Sequence, residues 1–166
     1  GKTTILRDIA RQLPSGMRGT ACRVTIVDER GEIAGTFQGI PQNDIGTCCD
    51  VLDGFPKAEG ILTAVRSLAP QYIVCDEIGS EKETKAVEQS LNAGVCIIAS
   101  IHAGSVSELL HRRQAYELLA TGAFSSVALL SGSGGPGKID GIYKAGDLLA
   151  EAGRLTAPDM RRGACG

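Results

Sequence analysis

The sequence predicts an α/β fold: a mostly parallel sheet flanked by helices, with a C-terminal β-hairpin. Three observations carry this. Short runs of unbroken apolar, β-branched character end near residues 27, 75 and 99, and helical periodicity fills the stretches between them. Strands apolar on both sides belong to a parallel sheet covered on both faces. Late in the chain, SVALLSG and KIDGIYKA bracket a glycine-rich turn, which is a hairpin pattern expected to add antiparallel edge strands.

The elements follow in order. Thr3 to Leu13 places Ile5, Leu6, Ile9 and Leu13 at helical spacing and stops at Pro14-Ser15-Gly16. The first strand has its core at Val24 to Val27 and ends in acids. From Gly31 to Gly60 the chain is rich in Gly, Pro, Asn and Asp, which reads as a long functional loop with short pieces of structure. A helix is expected over Ala58 to Leu68, ended by Ala69-Pro70. Tyr72 to Glu77 is a strand capped by acids. Glu81 to Asn92 is a polar helix with Ala86, Val87 and Leu91 on one face, and Gly94 suits its C-terminal cap. Val95 to Ser100 is a third strand, and Val106 to Leu119 a further helix. Residues 1–150 form the expected core, and 151–166 are a polar, weakly patterned tail expected to be disordered.

At 166 residues the chain suits one domain with a proper core. A net charge of -2 gives no electrostatic case for binding nucleic acid. Of the six cysteines, Cys22, Cys75 and Cys96 fall in apolar β-like runs and are expected to be buried. Cys48-Cys49 lacks metal-ligand spacing, so reduced thiols are the expectation.

The chemistry gathers at strand ends, where α/β sheets bind ligands. The opening Gly1-Lys2-Thr3-Thr4 leads into a helix like the second half of a phosphate-binding loop. The glycine-rich first half of such a loop, and the strand before it, are not in the sequence. The expectation is therefore a nucleotide-binding core lacking both, with impaired binding. In such a loop Lys2 supplies charge to the β- and γ-phosphates and Thr3 a hydroxyl ligand to magnesium. Asp76 is placed to reach the metal, Glu77 to polarise a water, and His102 to meet the terminal phosphate. Arg66 reads either as a surface ion pair or as a cation reaching phosphates, in its own subunit or a neighbour; Arg30 has the same two readings. Singly, each signal has an ordinary alternative: a helix entry, an acid-ended strand, a surface histidine. Their convergence at successive strand ends is the argument.

Several blocks carry a family resemblance: VTIVDERGEIAG, DVLDGFPKAEGILTAVRSLAPQYIVCDEIG, NAGVCIIASIHAGS and GPGKIDGIY. Together they resemble the stage III sporulation AA family of endospore-forming bacteria, within the wider family of type II and type IV secretion ATPases. The resemblance runs from Gly1 to about Asp147. It implies a RecA-like P-loop NTPase fold, ATP and Mg2+ as cofactors, and a motor working as a homo-hexamer. It implies membrane proteins of the sporulation stage III channel complex as partners, no nucleic acid, and a cytoplasmic place peripheral to the mother-cell side of the forespore membrane. Lys2 and Thr3 match the end of the Walker A loop, Asp76-Glu77 the Walker B end and His102 the histidine box. Glu32, in Asp28-Glu29-Arg30-Gly31-Glu32, matches an acid acting on water, and Arg66 an arginine ahead of the Walker B strand. Glu32 and Glu77 compete as water activator, with Glu32 favoured as base and Glu77 as orienting the metal and its water. Ser80 departs from the arginine that relatives often carry there.

A kinase-like phosphotransferase needs a lid with clustered arginines, which the Gly31 to Gly60 loop does not supply. A non-catalytic nucleotide-binding or scaffolding module of the same fold stays open, because the loop is incomplete.

Overall fold

A computed structural model describes residues 1–16, 20–132 and 137–156. Helix α1 (Lys2–Gln12) leads to strand β1 (Val24–Asp28), then β2 (Cys49–Asp53), α2 (Lys57–Ser67) and β3 (Tyr72–Cys75). Helix α3 (Glu81–Asn92), strand β4 (Cys96–Ala99), helices α4 (Val106–His111) and α5 (Arg113–Ala120), strands β5 (Ser126–Leu130) and β6 (Ile139–Lys144), and helix α6 (Ala145–Thr156) follow.

Four strands make one sheet in the order β2-β1-β3-β4, and every pair in it is parallel. Both faces are covered over the central strands β1 and β3, which is why these two are almost wholly apolar. On one face Val27, Ile73, Cys75 and Ile97 pack against Ile61 and Ala64 of α2 and Ala86 and Val87 of α3. On the other, Val24, Ile26 and Val74 pack against Leu6 and Ala10 of α1 and against Ile33, Ala34 and Ile45. Burying a side chain such as Ile26 or Ile61 fully is worth about 1.5–3 kcal/mol, so these two layers dominate the fold. At Gly60 helix α2 lies almost on β1: a Cβ there would sit 2.5 Å from Val27 Cγ1. A third cluster, Leu109, Leu110, Ala115, Leu119, Ala145, Leu148 and Ala152, joins α4, α5 and α6. A mostly apolar groove of about 1070 Å3 opens between α1, β4 and β5.

Among the short pieces of structure expected in the Gly31 to Gly60 stretch is β2, which pairs with β1 from Val24↔Cys49 to Asp28↔Asp53. The structure corrects several expectations. The hairpin β5–β6 forms a separate two-stranded sheet and adds no edge strand to the main one; half of its turn lies outside the described residues. The helix expected over Val106 to Leu119 is two helices that break at Arg112, whose ψ of 115 is extended. Leu91 is 39% exposed, whereas Ser90 is buried and donates its hydroxyl to Ala86 O at 2.8 Å. Cys75 is buried, but Cys96, on β4, is exposed and Cys22 is only partly covered in a loop. The tail expected from Glu151 continues α6 through Thr156, because Ala152 packs beside Leu148 in the third cluster. Residues 157–166, with Arg161, Arg162 and Cys165, lie outside the described residues.

Candidate functional site

An open cleft of about 270 Å3 lies past the carboxyl ends of the parallel strands. Lys2, Thr3, Glu32, Asp76 and Glu77 all line it, so five of the residues expected from sequence meet there. Glu29, Arg30, Lys57, Glu83 and Ser100 share the lining.

Each arrives for a local reason. Gly1 is the N-cap of α1 and makes no side-chain cap bond, and the first backbone bond of the helix is Ile5 N–H to Gly1 O at 3.2 Å. The preceding amides therefore stand at an anion-favouring helix start, with Lys2 and Thr3 in its first turn. Thr4 is exposed and lies off the cleft. Lys2 Nζ lies 3.2 Å from His102 Nδ1 and 3.5 Å from Ile101 O, which brings the histidine after β4 beside the lysine.

The acidic loop after β1 is built by Asp28, which has no exposed surface. Its carboxylate accepts the amides of Glu32 at 2.9 Å, Ile33 at 3.0 Å and Ala34 at 2.8 Å. Gly31, at φ 68, permits the turn that aims those amides inward. Arg7 of α1 then donates to Glu32 O and Ile33 O, each at 2.8 Å. Glu32 is thereby held by its backbone, with its carboxylate exposed at the cleft.

Asp76 follows β3 and is 7% exposed; Glu77 is exposed beside it. Lys57, in the first turn of α2 and only 6% exposed, sits 2.6 Å from Asp76 Oδ1, 3.7 Å from Glu29 Oε2 and 3.8 Å from Glu83 Oε1. Its ammonium also donates to Glu77 O. Burial acts to lower the Lys57 value, but the hydrogen bond and charge of Asp76, with Glu83 adding, outweigh it and raise it above the usual lysine range. Burial likewise acts to raise Glu83, yet the amides of Gly79 and Ser80 hold it below the usual carboxylate value. Beneath them burial pushes the Cys75 thiol up to about 12. Ser80 caps α3 reciprocally with Glu83, so this position serves the helix start.

Arg66 does not join them. It is exposed in the last turn of α2, and Lys57 is at the first. Nine residues of helix put the two about 14 Å apart along the axis. Sequence reasoning missed Lys57, Arg7 and the role of Asp28. A lysine after Pro56 and an arginine on a polar helix face look like solvated charges; only the fold turns them inward.

The residues present fit a magnesium ion bound through phosphate. Among the described residues no three His, Cys, Asp or Glu side chains form a metal cage. Magnesium with a polyphosphate needs only one or two protein ligands, and Thr3 and Asp76 line one cleft.

The family model described as "Sporulation stage III, protein AA" matches residues 1–149. The chain belongs to this family. It is 43% identical over 152 residues to "Stage III sporulation protein AA" of Bacillus subtilis (strain 168), covering 90% of this chain and 50% of that protein. It is 32% identical over 131 residues to "Protein SEEDLING PLASTID DEVELOPMENT 1" of Arabidopsis thaliana, covering 78% of this chain and 18% of the relative. "Uncharacterized protein ycf45" of Porphyra purpurea is 34% identical over 112 residues, 66% of this chain and 19% of the relative. The chain thus spans half or less of the length of these relatives. No solved structure matches it. Among the described residues, no helix of this family member is long and apolar enough to cross a membrane.

Proposed function

We propose that the cleft is a phosphoryl-transfer site for ATP with Mg2+, and that the chain is the ATPase core of a sporulation-related secretion or assembly machine with a RecA-like P-loop NTPase fold. The observation that carries this is the convergence of Lys2, Thr3, Glu32, Asp76 and Glu77 on one cleft at the ends of parallel strands. The similarity to stage III sporulation protein AA supports a sporulation-related role. A relative named for plastid development is similar to this chain over 131 residues, which suits an engine whose partners are chosen elsewhere.

In this reading the α1 amides and Lys2 bind the phosphates, with His102 beside Lys2 at the terminal one. Thr3 and Asp76 would hold the magnesium, which neutralises charge developing on the transferred phosphoryl group. Glu32 and Glu77 both present carboxylates to the cleft; Glu32, on the rigid Asp28 loop, is the base, and Glu77 orients the water. Arg66, exposed at the far end of α2, acts on a neighbouring subunit of a hexameric ring. The partners are membrane proteins of the stage III sporulation complex, and the place is peripheral to the forespore membrane.

The test is magnesium-dependent ATP hydrolysis by the chain extended with an upstream strand and a complete glycine-rich loop. Lys2→Ala, Glu77→Gln and Glu32→Gln variants run beside it. The expected result is activity that Lys2→Ala and Glu77→Gln abolish, with a loss of about 100-fold or more in Glu32→Gln if it is the base. A folded, hexameric, extended chain silent with ATP would overturn the motor and leave a nucleotide-binding or scaffolding module.

A further inference from the structure

Lys57 belongs to no step of the mechanism above, yet it is among the most buried charges of the molecule. A lysine is rarely enclosed unless it is paired, and Lys57 is paired with more than one acid. Its ammonium sits within 4 Å of three carboxylates, those of Asp76, Glu29 and Glu83, and donates to the Glu77 carbonyl. Carboxylate and carbonyl oxygens are also the ligands that a hard divalent ion takes, so such an ion and the ammonium would compete for Asp76. The cleft holds five carboxylates against the cations Lys2, Arg30 and Lys57, so it attracts free metal and repels phosphate on charge alone.

We propose that Lys57 is a built-in cation that keeps free divalent metal out of the cleft, so that metal is admitted only together with a polyphosphate. The Asp76 carboxylate is the contested group. In the free chain it is bound to Lys57 at 2.6 Å. A divalent ion arriving alone must break that pair and meet an ammonium. Arriving on a polyphosphate, its charge is already offset, and the phosphate oxygens supply a new partner for the displaced ammonium. Lys57 thus acts as a positioning residue for Asp76 and for the Glu77 peptide, and it sets the order of loading. The proposal rests on the polyphosphate reading of the cleft.

The experiment compares the chain, extended with an upstream strand and a complete glycine-rich loop, with its Lys57→Met and Lys57→Arg variants. Manganese binding without nucleotide is read by electron paramagnetic resonance. ATP binding in the presence of a chelator is read by calorimetry. Removing one positive charge about 4 Å from these oxygens is expected to tighten Mn2+ about tenfold in Lys57→Met and to weaken metal-free ATP about tenfold. Lys57→Arg is expected to restore both values to within about threefold of the parent, because the charge is kept. A merely structural lysine would move both affinities the same way, so opposed signs carry the proposal. Unchanged or weaker Mn2+ binding in Lys57→Met overturns it. If neither parent nor variant binds ATP while the Mn2+ result holds, the nucleotide reading fails and metal exclusion by Lys57 stands.

A measurement on the extended chain with Lys57 intact covers a variant that does not fold. The Lys57 ammonium, assigned by 15N NMR, is expected to exchange slowly and to stay unmoved by millimolar Mg2+ alone. It is expected to shift when ATP and Mg2+ are added together. A shift with Mg2+ alone overturns the proposal.

Discussion

Asp28→Asn tests whether the acidic loop is held as described. The substitution keeps side-chain volume and replaces one carboxylate oxygen by an NH2 group. Asp28 Oδ2 accepts two buried amides, Ile33 and Ala34, and Oδ1 accepts that of Glu32. With the amide oxygen turned to the buried pair, both bonds survive but lose their charge, at about 1 kcal/mol each. The NH2 group then faces the Glu32 N–H, which loses its acceptor at a further cost of about 1 kcal/mol. The sum is about 3 kcal/mol, a large part of the roughly 5–15 kcal/mol that holds a domain of this size. With a urea slope near 2 kcal/mol/M the unfolding midpoint should fall by about 1.5 M. Amide exchange supplies the local readout: Ile33 and Ala34 should lose protection in the variant, and the α3 amides should not. A midpoint within about 0.25 M of the parent, with those two amides still protected, would refute the reasoning.

Two further predictions follow from other parts of the structure. Gly60→Ala should destabilise by about 1–3 kcal/mol in thermal or urea unfolding, because the new methyl meets Val27 Cγ1 at 2.5 Å and Phe55 Cβ at 3.2 Å; a neutral result would mean that α2 is free to lift from β1. Stability should also be bounded by the Lys57 and Glu83 cluster at both ends of the pH scale. The Lys57 value is raised in the fold, so its contribution is full below the ordinary value of 10.5 and fades as pH climbs through the folded one. The Glu83 value is lowered, so its contribution is full above the ordinary 4.5 and fades as pH falls through the folded one. In Glu83→Gln the acid-side fall in melting temperature should be shallower than in the parent, and an identical slope would count against the cluster.

What was legible in the sequence is what burial on both faces writes into it. Strands β1 and β3 are apolar runs because both faces of the sheet are covered over them; β4, at the edge, keeps the pattern with only Ile97 buried, and α1, α2 and α3 begin and end within a residue or so of their signals. Strand β2 carries no such run: CDVLD alternates between partly covered and exposed positions at the sheet edge, so it merges with the polar loop before it. The break at Arg112 has no proline or glycine to announce it. Leu91 misled because apolar character was read where position decides: Ala86, Val87 and Ser90 share the buried stripe, and the serine is tolerated there because it bonds back to Ala86. The site divides along the same line. Residues at strand ends, such as Asp76 and Glu77, were found from their place in the chain. Lys57 and Arg7 act across elements, and a single sequence carries no record of what lies opposite a side chain.

The double grip on the loop after β1 has a mechanical consequence. Asp28 fastens residues 32–34 to the sheet, and Arg7 fastens residues 32 and 33 to α1. Helix and sheet are thus joined at their upper ends by a strut of five hydrogen bonds. Helix α1, which carries Lys2 and Thr3 in its first turn, cannot move as a body away from the end of β1 without breaking the Arg7 bonds. One wall of the cleft is therefore tied to the sheet through more hydrogen bonds than a helix packed by its side chains alone would have.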